Sequence, residues 1–210
     1  MLIAAIGIPK VDFTVRSLSE LTIIQWTAFD IAMEVKRLMD EISGTNQLMA
    51  LLLYGCGLRL MEYIRLRVMD VDFDNHLIVV RDGKGNKDRS TLFPDRLQTL
   101  LRKHLEKVEA IHQQDLADGY DEVYLPYALS RKLSGAAKSW KWQYIFPSSK
   151  LSKDPRSNGI QRHHIDETTL QKAVSSAGKR LNIHKRFSCH TLRHYVFFRI
   201  MSSDVGCYSS

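Results

Sequence analysis

Cysteine is scarce in this 210-residue sequence, and Cys56, Cys189 and Cys207 show no Cys-x-x-Cys spacing. Such a set argues against a disulfide framework or a zinc knuckle and favours a reducing compartment. The longest apolar run after the N-terminus, Leu48 to Tyr54, is too short to cross a bilayer. The apolar stretch Met1 to Pro9 lacks the basic residue and the cleavage site of a secretory signal. We therefore expect a cytoplasmic protein with no membrane partner.

Glycine and proline are also few, with 11 and 5 residues, whereas hydrophobic residues make up 44% and charged residues 25% of the chain. This composition argues against collagen-like, disordered and coiled-coil proteins. A chain of this length corresponds to one domain, or to one domain and part of another. It is long enough to bury a core without disulfides or metals.

Positive charge is in excess. The sequence has 30 Lys and Arg residues against 23 Asp and Glu residues, a net charge of +7. Residues 51–210 contain 26 basic and 17 acidic side chains and so carry +9, whereas residues 1–50 carry −2. This balance favours a polyanionic partner in the later part, nucleic acid before membrane. A basic globular domain without such a partner is the alternative.

The hydrophobic pattern predicts an α+β protein that is mostly helical, with one small antiparallel sheet. Residues 1–26 have no sustained period, and residues 118–165 are predicted to be irregular. Two β-prone runs, His76–Arg81 and Ser90–Phe93, are joined by a glycine-rich connection and predict a hairpin. Helices are predicted at Asp30–Ile42, Asn46–Tyr54, Leu58–Leu66, Asp95 to about Gln113, Glu167 to about Leu181 and Ser188 to about Met201. The apolar face of the helix from Asp95 is predicted to consist of Leu97, Leu100, Leu101, Leu105 and Val108.

Three separated segments carry candidate chemistry. Arg59 follows a glycine break at the start of a predicted helix, with Glu62 three residues later on the same face. An arginine there can present its planar fork to a phosphate while the carboxylate fixes its rotamer. The alternative is a solvated ion pair.

The second segment is the hairpin connection, where glycines flank Lys84. Glycines allow close approach of the backbone to a ligand, and a lysine at such a tip can reach a neighbouring groove. The Gly-x-x-x-x-Gly-Lys arrangement of nucleotide hydrolases is absent, which argues against that activity. A solubilising turn is the alternative.

The third segment contains His190 and Arg193, which share one face of a predicted helix. This pair suits proton transfer beside an arginine that binds the same anion. His194 completes an i, i+4 histidine pair, but Thr191 stands where a zinc protease has its glutamate, so no metal site is expected. His194 is interpreted as a structural or exposed residue.

The order of Arg59 with Glu62, then Lys84, then His190-x-x-Arg193 resembles that of the tyrosine recombinases, the phage integrase family. The resemblance is continuous through Leu51–Glu62 and Leu66–Phe73, and it covers about Val35 to His194. It implies a tyrosine-recombinase catalytic domain that acts on DNA, within tetramers assembled on the DNA.

The resemblance also implies the roles of the residues. Arg59 and Arg193 would hold the scissile phosphate and stabilise its pentacovalent transition state. Lys84 would protonate the leaving 5′-oxygen, and His190 would assist proton transfer. A tyrosine would form a transient 3′-phosphotyrosine bond, with no metal or other cofactor.

Among these enzymes the sequence is most similar to the integron integrases, because of the segment from Trp140 to Val174. The resemblance implies an extra segment, about residues 118–166, that grips bases extruded from a folded single-stranded recombination site. Stacking on aromatic and imidazole faces suits such bases. The contacts implied are Trp142, Pro155, His163 and His164. The alternative is an aromatic mini-core with two surface histidines.

The sequence departs from the family at both ends. No Leu-Gly-His motif follows Arg193, and Tyr208 comes too soon after it, so no nucleophile is assigned. Because Arg59 lies near the start of the sequence, we expect the helical core-binding domain that precedes the catalytic domain in the family to be missing. We expect a lead-in at 1–26, a partial catalytic domain at 27–201 and an unmatched tail at 202–210.

Such ends are expected of a truncated or frameshifted gene. Two functions remain open. One is a recombinase of integron sites that obtains its nucleophile from another protomer or from the rest of a longer protein. The other is an inactive DNA-binding remnant.

Overall fold

This computed structural model describes residues 32–81, 87–120, 123–125, 135–154, 159–182 and 188–193. Helical segments in these ranges are α1 (32–41), α2 (Gly44–Cys56), α3 (Leu60–Ile64), α4 (Asp95–Ala117), α5 (Glu167–Arg180) and α6 (189–193). The strands are β1 (Val71–Asp72), β2 (Leu77–Val80), β3 (Arg89–Leu92), β4 (Ser152–Lys153) and β5 (Ile160–Gln161). The predicted mostly helical α+β class is therefore confirmed. Of the helices in the described ranges, none is long and apolar enough to span a membrane.

The chain divides into two compact units, Met1–Gly57 with Leu170–Ser210, and Leu58–Thr169. In the first unit, α1 buries the apolar stripe that predicted it, namely Val35, Leu38 and Met39, with Ile42 just beyond its end. Glu41 at the end of α1 accepts a hydrogen bond from Nε of Arg180 in α5. This ion pair links the ends of two helices that are distant in the sequence.

Helix α2 is longer than predicted at both ends. It begins at Gly44, where a stop was expected, and continues through Gly55 and Cys56, where a break was expected. The helix ends at Gly57, whose φ of 63° lies in the left-handed region that favours glycine. The Gly57 N–H bonds the Leu53 carbonyl at 3.1 Å. The helix therefore tolerates Gly55 in its last turn. The left-handed backbone conformation of Gly57 ends it.

The second unit contains a three-stranded antiparallel sheet of order β1-β2-β3. Residues Leu77 and Val80 of β2 pair with Leu92 and Arg89 of β3, which confirms the predicted hairpin. Strand β1 was not predicted, because a strand of two residues is too short to show an alternation of apolar and polar side chains. In β2, Ile78 and Val80 face the core, as alternation requires.

Helix α4 runs four residues further than predicted and buries Leu97, Leu101 and Val108. Leu100 was placed on the buried face, but it is 40% exposed because it lies at the margin of the stripe. Toward the C-terminal end, the same stripe continues with the polar residues His112 and Asp115, both buried. These need partners from elsewhere in the unit.

The segment predicted to be irregular has little regular structure in its described residues. It contains 3₁₀ turns at Ala136–Lys138 and Trp140–Trp142 and the short β4–β5 ladder. A small core holds it together, formed by Val123, Leu125, Trp142 and Tyr144. Of the helix predicted from Ser188, residues 189–193 are helical, and the rest lies outside the described residues.

Candidate functional site

Arg59 stands at the N-cap of α3 and is held by Glu62. One oxygen of Glu62 accepts the Arg59 backbone N–H at 2.7 Å, and the other accepts Nη1 of Arg59 at 2.6 Å. The carboxylate thus caps the helix and fixes the arginine rotamer at the same time. The Glu62 side chain is only 7% exposed, whereas that of Arg59 is 38% exposed. An anion in solvent can therefore reach a guanidinium whose direction is already set.

Glu62 has a third donor, Nη2 of Arg89, at 2.7 Å. Burial alone would raise the pKa of the Glu62 carboxyl, but the hydrogen bonds from Arg59 and Arg89 outweigh burial and hold that pKa below its ordinary value. Glu62 is therefore the anionic centre between two arginines. Two positive charges on one carboxylate leave a net positive group.

Lys84 lies outside the described residues, but the two sides of its connection are described. Arg81 follows β2, and its Nε donates to Oδ1 of Asp70 at 2.7 Å. Arg89 opens β3 and binds Glu62. Asp70 and Glu62 are both buried carboxylates of the same unit.

His190 and Arg193 belong to α6 in the first unit. Ser188 caps this helix as predicted, because its Oγ accepts the Thr191 N–H at 3.1 Å. His190 is exposed, and Arg193 is half-buried with its Nε donating to the Gly57 carbonyl at 3.0 Å. Gly57 stands two residues before Arg59 in the sequence.

Trp142 lies in the small core of the irregular segment and is 7% exposed. The Arg67 guanidinium lies over the Trp142 and Tyr144 rings, at 5.7 and 4.6 Å from their centroids. Arg67 also donates to the carbonyls of Trp142 and Tyr124, at 2.5 and 2.7 Å. The Trp142 ring was expected to offer a stacking face, but the structure buries it in the mini-core that was the alternative.

His163 and His164 are half-buried on the segment that follows β5. The His164 ring meets the Tyr144 ring edge to face, with centroids 5.3 Å apart. The preceding residue, Arg162, binds both carboxylate oxygens of Asp115, at 2.5 and 2.6 Å. This pair anchors the histidine-bearing segment to α4. Pro155, the remaining predicted contact, lies outside the described residues.

Side chains that could bind a metal ion are not clustered in the described residues. In the described ranges no three His, Cys, Asp or Glu side chains are close enough to hold an ion. Around Glu62 the candidate site consists of arginines fixed by a carboxylate, an arrangement that is suited to binding an anion.

A comparison with known protein families matches residues 31–207 to the phage integrase family. The chain belongs to the phage integrase family. The match includes every site residue predicted above, and it agrees with the family resemblance seen in the motifs.

Curated phage integrase relatives support the same conclusion. The chain is 43% identical over 161 residues to an integrase/recombinase of Escherichia coli, an alignment that covers 77% of this chain and 48% of the relative. It is 50% identical over 76 residues to tyrosine recombinase XerA of Thermococcus kodakarensis, covering 35% of this chain and 27% of XerA. The chain spans about half the length of the first of these relatives.

The phage integrase fold is also seen among solved structures. A crystal structure of XerA recombinase matches with a TM-score of 0.51 and 23% identity, covering 81% of this chain and 48% of XerA. At this identity the match establishes the fold. It confirms the expected architecture of a tyrosine-recombinase catalytic domain.

Three arginines of the candidate site were missed in the sequence. Arg81 and Arg89 flank the Lys84 connection. The signal available was that Arg81 ends the first β-prone run and Arg89 directly precedes the second. Arg67 stands three residues before Asp70, which repeats the spacing of Arg59 and Glu62. Their partners depend on tertiary structure, so the spacing alone could not identify them.

Proposed function

We propose that this chain binds the DNA of an integron-type recombination site and supports its cleavage and rejoining by holding a backbone phosphate with Arg59 and Arg193. The observation that carries the proposal is the preset Arg59 guanidinium, fixed by a buried Glu62 and exposed on its other side. Pre-organised donors stabilise developing charge on a phosphate without reorganisation in the transition state. The net charge of +9 in residues 51–210 supports a DNA partner.

In the proposed reaction a tyrosine hydroxyl attacks the phosphorus and releases its proton to solvent. The bond from phosphorus to the 5′-oxygen breaks, Lys84 donates a proton to that oxygen, and His190 assists the transfer. The product is a 3′-phosphotyrosine. A 5′-hydroxyl of another strand can attack its phosphorus, which rejoins the DNA, breaks the bond to the tyrosine oxygen and returns the tyrosine to its hydroxyl form. The attacking tyrosine is not assigned to a position of this sequence.

The proposed DNA substrate is a folded single strand with extrahelical bases. His163 and His164 are the first candidates for base contacts, since both residues are partly exposed and Arg162 anchors their segment to α4. Trp142 would have to leave the small core to stack on a base, so in the proposal it supports the segment from within. Pro155 is retained as a candidate.

The base contacts are tested with two hairpin DNAs that differ only in their extrahelical bases. Stacking contributes about 1–3 kcal/mol per base, so His163→Ala or His164→Ala should weaken binding to the complete hairpin about 5- to 150-fold. The exposed residue Lys153 supplies the control, because Lys153→Ala should affect both hairpins equally. Equal effects of the histidine substitutions on both hairpins would argue against extrahelical base recognition.

Strand cleavage is tested with the full chain and a nicked suicide substrate that traps a covalent intermediate. A covalent protein–DNA adduct supports cleavage by the chain, and its loss in Tyr208→Phe would assign the nucleophile to Tyr208. Salt-sensitive DNA binding without any adduct favours the DNA-binding remnant. The absence of binding at low ionic strength contradicts both functions.

A further inference from the structure

Two ion pairs bracket the connection that carries Lys84. Arg81 on the β2 side binds Asp70, and Arg89 on the β3 side binds Glu62, each at 2.7 Å. Val80 and Arg89 face each other in the ladder, so the two pairs flank the point where the hairpin opens into its connection. An ion pair to a buried carboxylate is therefore present at each described end of the hairpin.

The two carboxylates are themselves fixed in the same way. Glu62 accepts the backbone N–H of Arg59 at 2.7 Å, and Asp70 accepts that of Arg67 at 2.9 Å, three residues earlier in each case. Both carboxylates are almost completely buried. A carboxylate that is buried and bound to the backbone N–H three residues earlier is held in one position, so the arginine side chain that binds it is also localised.

Glu62 differs from Asp70 because it shares its charge between two arginine side chains. One oxygen binds Nη1 of Arg59, and the other binds Nη2 of Arg89. Removal of Arg89 would leave Glu62 with Arg59 as its only guanidinium donor among the described contacts. The direction and strength of the Arg59 contact therefore depend on Arg89.

We propose that Arg89 is a positioning residue, which sets the direction of Arg59 through Glu62. This inference rests on the proposed function, since Arg59 is to act on a DNA phosphate. Arg89 acts through Glu62 and not by contacting DNA.

Double-mutant cycles test this assignment with the full chain and a fluorescein-labelled recombination-site hairpin at low salt. Arg89→Gln should weaken DNA binding about fivefold in the wild-type protein and less than about twofold when Arg59→Gln is already present. Equal losses in both backgrounds would show that Arg89 binds phosphate directly and would overturn the proposal.

A second measurement needs no DNA. In carbon-13 NMR of the Glu62 carboxyl, the titration midpoint should rise in Arg89→Gln and stay unchanged in Arg37→Gln, which removes the same charge from an exposed position of α1. An unchanged midpoint in Arg89→Gln overturns the proposal. Arg89→Lys keeps the positive charge, so its titration midpoint and its DNA affinity should both be close to the wild-type values. If Arg89→Gln does not fold, the same measurements are made with Arg89→Lys.

The two measurements also separate this inference from the proposed function. If Arg59→Gln leaves DNA affinity unchanged, the phosphate-binding function fails and positioning for it fails as well. A raised Glu62 midpoint in Arg89→Gln would then still establish the ion pair itself. If Arg59→Gln weakens binding but Arg89→Gln acts independently, the positioning role alone fails.

Discussion

Nε of Arg193 donates a hydrogen bond to the backbone carbonyl of Gly57 at 3.0 Å, across 136 residues of chain. The contact lies within one unit and ties α6 to the end of α2. Gly57 owes its position to a left-handed backbone conformation, and it precedes Arg59 by two residues. The backbone turn at Gly57 therefore ends α2, and its carbonyl also accepts the hydrogen bond of Arg193, a predicted site residue.

Substitution of Gly57 tests that turn. Gly57→Ala should lower the free energy of unfolding by about 1 kcal/mol, because a Cβ at a positive φ of this kind is strained. Gly57→Asn should cost less, since asparagine tolerates the left-handed region. Urea unfolding measures both, and an alanine variant as stable as the wild type would contradict the assigned conformation.

The ion pair of Asp115 with Arg162 is predicted to stabilise the second unit strongly. Both side chains are largely buried and share two hydrogen bonds. Asp115→Asn leaves a buried guanidinium without its counter-charge, which should cost about 3 kcal/mol in urea unfolding. The control is Asp40→Asn, in an exposed pair with Lys36, where a loss under about 1 kcal/mol is expected. Similar losses in the two variants would contradict this account.

His104 is predicted to make stability depend on pH. Burial lowers the pKa of its imidazole below the ordinary value of 6.5, and the charge of Lys107 adds to this, while the hydrogen bond to the Ile145 carbonyl opposes it. The folded protein favours the neutral ring. The contribution of His104 to the free energy of unfolding is therefore complete above about pH 6.5, and it is lost as the pH falls toward the lowered pKa of the ring in the folded protein.

The free energy of unfolding, measured by urea at pH 7.5 and pH 5, checks this effect. His104→Gln should show a smaller decrease between the two pH values than the wild type. If His104→Gln loses as much stability as the wild type on acidification, His104 is not the responsible group.

The helices and the hairpin could be predicted because their signals are local. The apolar spacing of Val35, Leu38 and Met39 fixed α1 within its described residues, and the hairpin followed from two β-prone runs around a glycine-rich connection. The limits of α2 could not be predicted, because Gly55 reads as a breaker whereas the end depends on the backbone angle of Gly57.

The partners of the site residues depend on tertiary structure. Asp115 lies on the otherwise apolar stripe of α4, and its partner Arg162 is 47 residues away. The Glu62 contact with Arg59 was predicted from their spacing, but the contact with Arg89 was not. Trp142 could be read as a base contact or as core, and only the packing against Arg67 and Tyr144 shows that the ring is buried.

The most direct test of phosphate binding is the salt dependence of DNA affinity for the full chain and for Arg59→Gln and Arg193→Gln. The account predicts that the logarithm of the wild-type association constant falls linearly with the logarithm of salt concentration, and that each variant reduces the slope by about one unit. Arg37→Gln, at an exposed position of α1, should keep the wild-type slope. Wild-type slopes and affinities in both site variants would contradict the assignment of Arg59 and Arg193 to a DNA phosphate.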